Sequence, residues 1–142
     1  MMKILLPVDG SENSLPAVRH VIAMKEQYRD PIEVHLLNVQ LPVVSGAVKM
    51  FISQQQLNDF YRDEGVAALK DARALLDQAG VSYQHHIGVG DLAGTIVSYA
   101  KEKQCRQIVI GTRGRGSFAG ALLGSVTTKV IHLADMPVLL IK

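Results

Sequence analysis

Three glycines and a serine stand at a spacing suited to holding an anion: Gly111, two residues, Gly114, nine residues, then Gly124-Ser125. Glycine has no Cβ to hold a phosphate away from backbone N–H groups, and it adopts positive φ at no steric cost. Gly111 and Gly114 are therefore expected to let the backbone approach a ligand closely. A helix starting at 124–125 would aim its first N–H groups at the same spot. Gly116 extends the glycine run. Arg113 and Arg115 add guanidinium groups that can grip phosphate oxygens bidentately, each charge-assisted bond being worth ~1.5–3 kcal/mol net. The chemistry open to this set is the binding of phosphates, those of a nucleotide above all. The alternative is a tight strand-to-helix connection that binds nothing, with the arginines in surface ion pairs worth ~0–1 kcal/mol. Two common phosphate signatures do not apply. There is no Gly-x-x-x-x-Gly-Lys-Ser/Thr, and Gly-x-x-Gly-x-Gly after a late strand is not the dinucleotide fingerprint.

Asp9 directly follows the apolar run Ile4-Leu5-Leu6-Pro7-Val8. It either closes an Asx-turn over Gly10-Ser11 or presents a carboxylate that accepts bonds from ribose hydroxyls or helps place a metal. The other reactive side chains read as structural. His85 and His86 are neighbours on a strand, point to opposite faces and cannot form a two-ligand metal site. His35 reads as a satisfied core histidine, His20 and His132 as helix-surface residues. Cys105, without a second cysteine, reads as a small buried residue. Thr127 and Thr128 read as ordinary helix residues.

These groups need elements to position them. Residues 4–8 form a continuous apolar strand with Pro7 at its exit end, where its missing N–H costs least. Ser14, or Ser11 before it, caps a helix with Pro16 in its first turn and Leu15, Val18 and Ile22 on one face. Residues 33–39 are a second strand. Residues 40–53, with Pro42, Ser45 and Gly46, lack a period and read as a surface loop or lid. A long helix then carries Leu57, Phe60, Glu64, Ala68, Ala72, Leu75 and Ala79 on one side and stops at Gly80. Residues 81–87 alternate as a half-buried strand. Asp91 caps a helix with Leu92, Ile96, Val97 and Ala100 on its apolar side. Residues 107–110 are a buried strand before the glycine loop. A last helix from Ser125 carries Val126, Val130 and Ile131 on one side, and residues 138–141 are a closing strand. The alternation βαβαβαβαβ implies a parallel sheet with helices on both faces and right-handed crossovers. Ligands of such sheets bind beyond the carboxyl ends of the strands, where strand order reverses.

Composition agrees. The 142 residues suffice for one domain, 1–142, that buries about two-thirds of its unfolded surface. With 48% apolar but only 5% aromatic residues, the core must be Val, Ile, Leu and Ala, as in buried parallel strands. A formal net charge of +2 without long like-charge runs argues against nucleic-acid and membrane-surface partners. With no signal peptide and no membrane-spanning stretch, a cytosolic location is expected.

The spacing Gly-2x-Gly-9x-Gly-Ser at 111–125 resembles the ATP-binding signature of the universal stress protein family. The opening Ile4-Leu5-Leu6-Pro7-Val8-Asp9-Gly10-Ser11 and the ending Met136-Pro137-Val138-Leu139-Leu140-Ile141-Lys142 resemble that family's first and last strands, so the resemblance covers the whole chain. It implies a Rossmann-like three-layer sandwich of the adenine nucleotide alpha hydrolase-like kind, its five-stranded parallel sheet in the order 3-2-1-4-5. Asp9 and residues 111–116 would then face one crevice. It also implies ATP, or ADP or AMP, as ligand, with Mg²⁺ left open. Pro7 and Val8 would line the base pocket, Val39 would offer backbone groups to adenine, and Ile110 would pack beside base or sugar. Asp9 would contact ribose or base. Gly111, Arg113, Gly114, Gly124, Ser125 and Val126 would hold phosphates, with Arg115 and Gly116 in the same loop. Arg113 departs from many relatives, which carry a less basic residue there. The resemblance further implies a homodimer through residues 138–141, and an apolar strand at an open edge invites that pairing. The expected role is a stress-response regulator acting through nucleotide-dependent conformation or a protein partner. The alternatives are a slow ATPase or phosphoryl or nucleotidyl transferase on the same fold, for which no general base stands out, and a nucleotide-free dimerisation module.

Overall fold

The computed structural model describes residues 1–43, 46–114 and 122–142, apart from the side chain of Val48. In chain order the elements are β1 (Met2–Pro7), a single 3-10 turn (Glu12–Ser14), α1 (Leu15–Gln27), β2 (Ile32–Gln40), α2 (Gly46–Phe51), α3 (Gln54–Gln78), β3 (Tyr83–Val89), α4 (Leu92–Glu102), β4 (Gln107–Gly111), α5 (Ser125–Leu133) and β5 (Val138–Ile141). The five strands form one parallel sheet in the order β3-β2-β1-β4-β5. β1 is central, and Pro7 closes it against Leu37 of β2, beyond which the Val8 N–H bonds the Leu37 carbonyl at 2.8 Å.

The unbroken apolar runs follow from the two covered faces. Side chains alternate along a strand, so Ile4 and Leu6 of β1, Val34 and Leu36 of β2, and Val109 of β4 pack into one core with Val18 and Val21 of α1 and Leu69 and Leu76 of α3. Leu5, Leu37, Ile108 and Ile110 point the other way, against Ile96, Val97 and Ala100 of α4 and Val130 of α5. Asp91 caps α4 by accepting from the Gly94 N–H at 2.9 Å. Among the described residues no helix is long and apolar enough to cross a membrane.

Four local expectations are corrected. The loop at 40–53 contains α2, whose Met50 and Phe51 are more than four-fifths exposed; a helix whose described residues are all exposed shows no buried stripe to read. Ser45, part of that expectation, lies outside the described residues. The face of α3 turned to the sheet is Tyr61, Gly65, Leu69, Ala72 and Leu76; apart from Ala72, common to both, it lies one position on from the expected stripe, and Phe60 is left outside it. The register is set by Gly65, where a Cβ would lie 2.6 Å from Ile87, so that helix and β3 meet at the glycine. On α1 the buried residues are Ala17, Val18, Val21 and Met24, with Leu15 and Ile22 half-buried. On α5 Val130 is buried with Thr127, whereas Ile131 is 43% exposed.

Candidate functional site

The exits of β1 and β4 lie side by side at the point where strand order reverses, and a cavity of ≈ 430 Å³ opens there. That volume falls in the range of small-ligand pockets. Its walls include Pro7, Val8, Asp9, Val39, Ile110, Gly111, Arg113, Gly114, Gly124, Ser125 and Val126, so these sequence-derived candidates surround one space. Arg115 and Gly116 lie outside the described residues.

At the β1 exit the chain turns through Gly10, whose φ of 87° suits glycine. Three donors converge on Asp9 Oδ1: the Ser11 N–H (2.9 Å), the Ser11 hydroxyl (2.6 Å) and the Ser14 hydroxyl (2.7 Å). The Ser14 oxygen also accepts from the Asp9 N–H at 3.1 Å. Asp9 therefore does close an Asx-turn, and the same carboxylate turns its second oxygen toward the glycine loop. Ser14 makes no side-chain cap to its helix, contrary to expectation; its buried hydroxyl is committed to Asp9.

Gly111 and Gly114 are needed for space. Neither has a positive φ. A Cβ on Gly111 would lie 2.8 Å from the Asn13 carbonyl oxygen, and one on Gly114 would lie 2.6 Å from Asp9 Oδ2. The Asn13 side-chain amide also donates to the Gly114 carbonyl at 3.3 Å, so the turn after β1 braces the loop after β4. At the start of α5 the Gly124 N–H donates to the Thr112 carbonyl (2.6 Å) and the Thr127 hydroxyl to the Gly111 carbonyl (2.9 Å). Thr127 is thus no ordinary helix residue: it is buried, lines the cavity and ties α5 to β4. Gly124 brings no side chain to the helix start, where the positive end of the helix dipole favours an anion. Arg113 is exposed at the rim and forms no ion pair among the described residues.

The β2 side of the cavity is where sequence reasoning missed residues. Buried Asn38 donates to the Val8 carbonyl at 2.9 Å and accepts from Gln40, fixing the exits of β1 and β2 to each other. Leu41 and Phe60 complete that wall, with Leu92 and Ile96 from α4. Leu92 and Ile96 carried a signal as apolar residues early in a capped helix, and Phe60 one as part of the expected stripe of α3; Leu41 carried none.

Away from the cavity, His35 is buried with both ring nitrogens engaged, Nε2 at 2.8 Å from Glu33 Oε2 and Nδ1 at 3.0 Å from His86 Nε2. The bond from His35 holds the Glu33 carboxyl below its ordinary value. Burial lowers His86, reinforced by neighbouring His35, Lys103 and His85. His85 is exposed, and the described residues contain no group of three or more His, Cys, Asp or Glu able to hold a metal. Burial pushes the Cys105 thiol up to about 11, leaving it inert at neutral pH.

A doubly wound parallel sheet, with a glycine-walled crevice and a helix start at its switch point, defines a Rossmann-like α/β protein. Comparison with known proteins narrows the class. The model of the universal stress protein family matches residues 1–142, and the chain belongs to that family. Universal stress protein MJ0531 of Methanocaldococcus jannaschii is 32% identical over 141 residues, covering 99% of this chain and 81% of that protein. The solved structure of MJ0577, from the same organism, has a TM-score of 0.84 at 31% identity, covering 99% of this chain and 95% of the other. At 22% identity and a TM-score of 0.64, a universal stress protein from Archaeoglobus fulgidus solved with dAMP shares the fold over 100% of this chain and 98% of its own.

Proposed function

We propose that the cavity binds an adenine nucleotide, ATP or its ADP and AMP relatives, and that the protein is a cytosolic stress-response regulator whose conformation or protein partner depends on that nucleotide. The observation that carries this reading is the meeting of Asp9 with Gly111, Gly114, Gly124 and Ser125 around one space, two of those glycines having no room for a side chain. Phosphates would sit against the glycine loop and the start of α5, with Arg113 at the rim and Mg²⁺ as a counter-ion to a triphosphate. The ribose would face Asp9, and the base would lie between Pro7, Val8, Ile110 and the Val39 backbone. Support also comes from family members solved with dAMP, AMP and cAMP. Isothermal titration with ATP, ADP and AMP, with and without Mg²⁺, tests the reading. Binding to the wild type and its loss in Gly124→Val are expected; no heat with any of the three, or equal affinity in the variant, would overturn it.

The regulator is proposed to work as a homodimer. All four residues of β5 are half-buried at the sheet edge, and Ile131 and Leu133 of α5 are exposed. Sedimentation equilibrium should give twice the chain mass and Leu139→Lys the single mass. A monomeric wild type would end this part of the proposal.

A further inference from the structure

The cavity has an outer lip that the glycine loop does not account for. Leu41, the residue after β2, is 62% exposed, and Phe60, in the second turn of α3, is 48% exposed; both line the cavity. Phe60 stands beside the buried face of α3, so packing on the sheet does not explain a large aromatic there. The lip is nonetheless held in place. The Tyr61 hydroxyl accepts from the Val43 N–H at 2.7 Å, tying α3 to the segment after β2, and the Phe60 ring packs on Tyr61 with centroids 5.9 Å apart. In the sheet β2 and β4 flank β1 on opposite sides, so this lip is at the far end of the cavity from Gly111 and Gly114.

We infer that Phe60, with Leu41, is the outer wall of the base-binding end and selects a two-ring purine over a single-ring pyrimidine. The inference rests on the nucleotide reading above and goes beyond it by naming the specificity residue. An apolar side chain half open to water gains most when a flat, weakly polar group covers it, and the gain grows with the area covered. A purine offers more ring surface than a pyrimidine to a wall in the same cavity as Pro7 and Val8, so the wall rewards the larger base. Contacts between a base and an aromatic side chain are worth about tenfold or more in affinity.

The test is calorimetric titration of ATP, AMP and CTP into the wild type, Phe60→Ala, Phe60→Tyr and Phe51→Ala. Phe51 is 85% exposed and does not line the cavity, so it controls for loss of a surface aromatic. Phe60→Ala should weaken ATP and AMP by the same factor, about tenfold, and narrow the preference for ATP over CTP, with an unchanged melting temperature. Phe60→Tyr should keep the wild-type preference, and Phe51→Ala should stay within about twofold for every nucleotide. A wild type that binds ATP while Phe60→Ala keeps its affinity within about twofold, or keeps its ATP-to-CTP ratio, overturns the inference. A wild type that binds neither ATP nor AMP overturns the nucleotide reading itself.

Discussion

At the β4 end of the cavity the wall is backbone: Gly111, Gly114 and Gly124, braced by Asn13, Asp9 and Thr127. At the β2 end the wall is side chain: Val39, Leu41 and Phe60, on two elements joined through Tyr61 and Val43. At Gly111 and Gly114 the first end has no slack, because a single added carbon meets a carbonyl or a carboxylate below 3.0 Å. The second is held by side-chain contacts and open on its outer side, since Leu41 and Phe60 are half exposed to water. On the nucleotide reading, recognition of what every nucleotide shares would fall to the rigid backbone end, and discrimination among bases to the side-chain end.

The largest effect should come at the rigid end. Gly114→Val drives its Cβ into Asp9 Oδ2 and should lower ATP affinity about 100-fold, ~2.7 kcal/mol, in a titration. A variant that still binds within about threefold of the wild type would erase the contrast between the two ends. The next effect is on stability. Asp9→Ala removes the shared acceptor of Ser11 and Ser14 and leaves the buried Ser14 hydroxyl without it, so urea unfolding should show a loss of ~1–3 kcal/mol. Asp9→Asn, which keeps an acceptor oxygen, should recover part of that loss; equal costs would mean that the turn does not depend on this contact.

The smallest effect belongs to neither end. The folded-state value of His86 lies below the ordinary 6.5, so the unfolded chain takes up the proton first as pH falls. Its contribution is complete above 6.5 and is lost as pH drops toward the folded value. Glu33, also lowered, adds a further loss below its ordinary 4.5. Thermal melts between pH 7.5 and 5.5 should fall by about a few degrees, less in His86→Gln, while Phe60→Ala melts in parallel with the wild type. Identical pH profiles for wild type and His86→Gln would remove His86 as the cause.

Legibility in the sequence followed the same division. Strand–helix alternation, β5 at 138–141, the cap at Asp91 and the glycine spacing are encoded by residues close in the chain, and each was readable there. The glycines at 111 and 114 were found, but on a partly mistaken ground: the structure uses their missing Cβ atoms and not a positive φ, which occurs at Gly10. Ser14 and Thr127 passed as a helix cap and a helix residue. Their roles depend on Asp9 and on the Gly111 carbonyl, and the second partner is 16 positions away. The face of α3 was misjudged by about one position, which grouped Phe60 with the helix's apolar side, whereas it stands at the cavity lip.

What the sequence by itself determined was the succession of apolar strands and amphipathic helices that commits this chain to a doubly covered parallel sheet, together with the glycine and serine positions of the loop. Tertiary structure decided which side chains meet across that sheet: Asp9 with Gly114, Asn13 with the β4 loop, and Phe60 and Leu41 over the β2 end. The reason is geometric. Local preferences act over a few residues, whereas those contacts are set by strand order and by the close approach of α3 to β3 at Gly65, and neither is expressed in any short window of the chain.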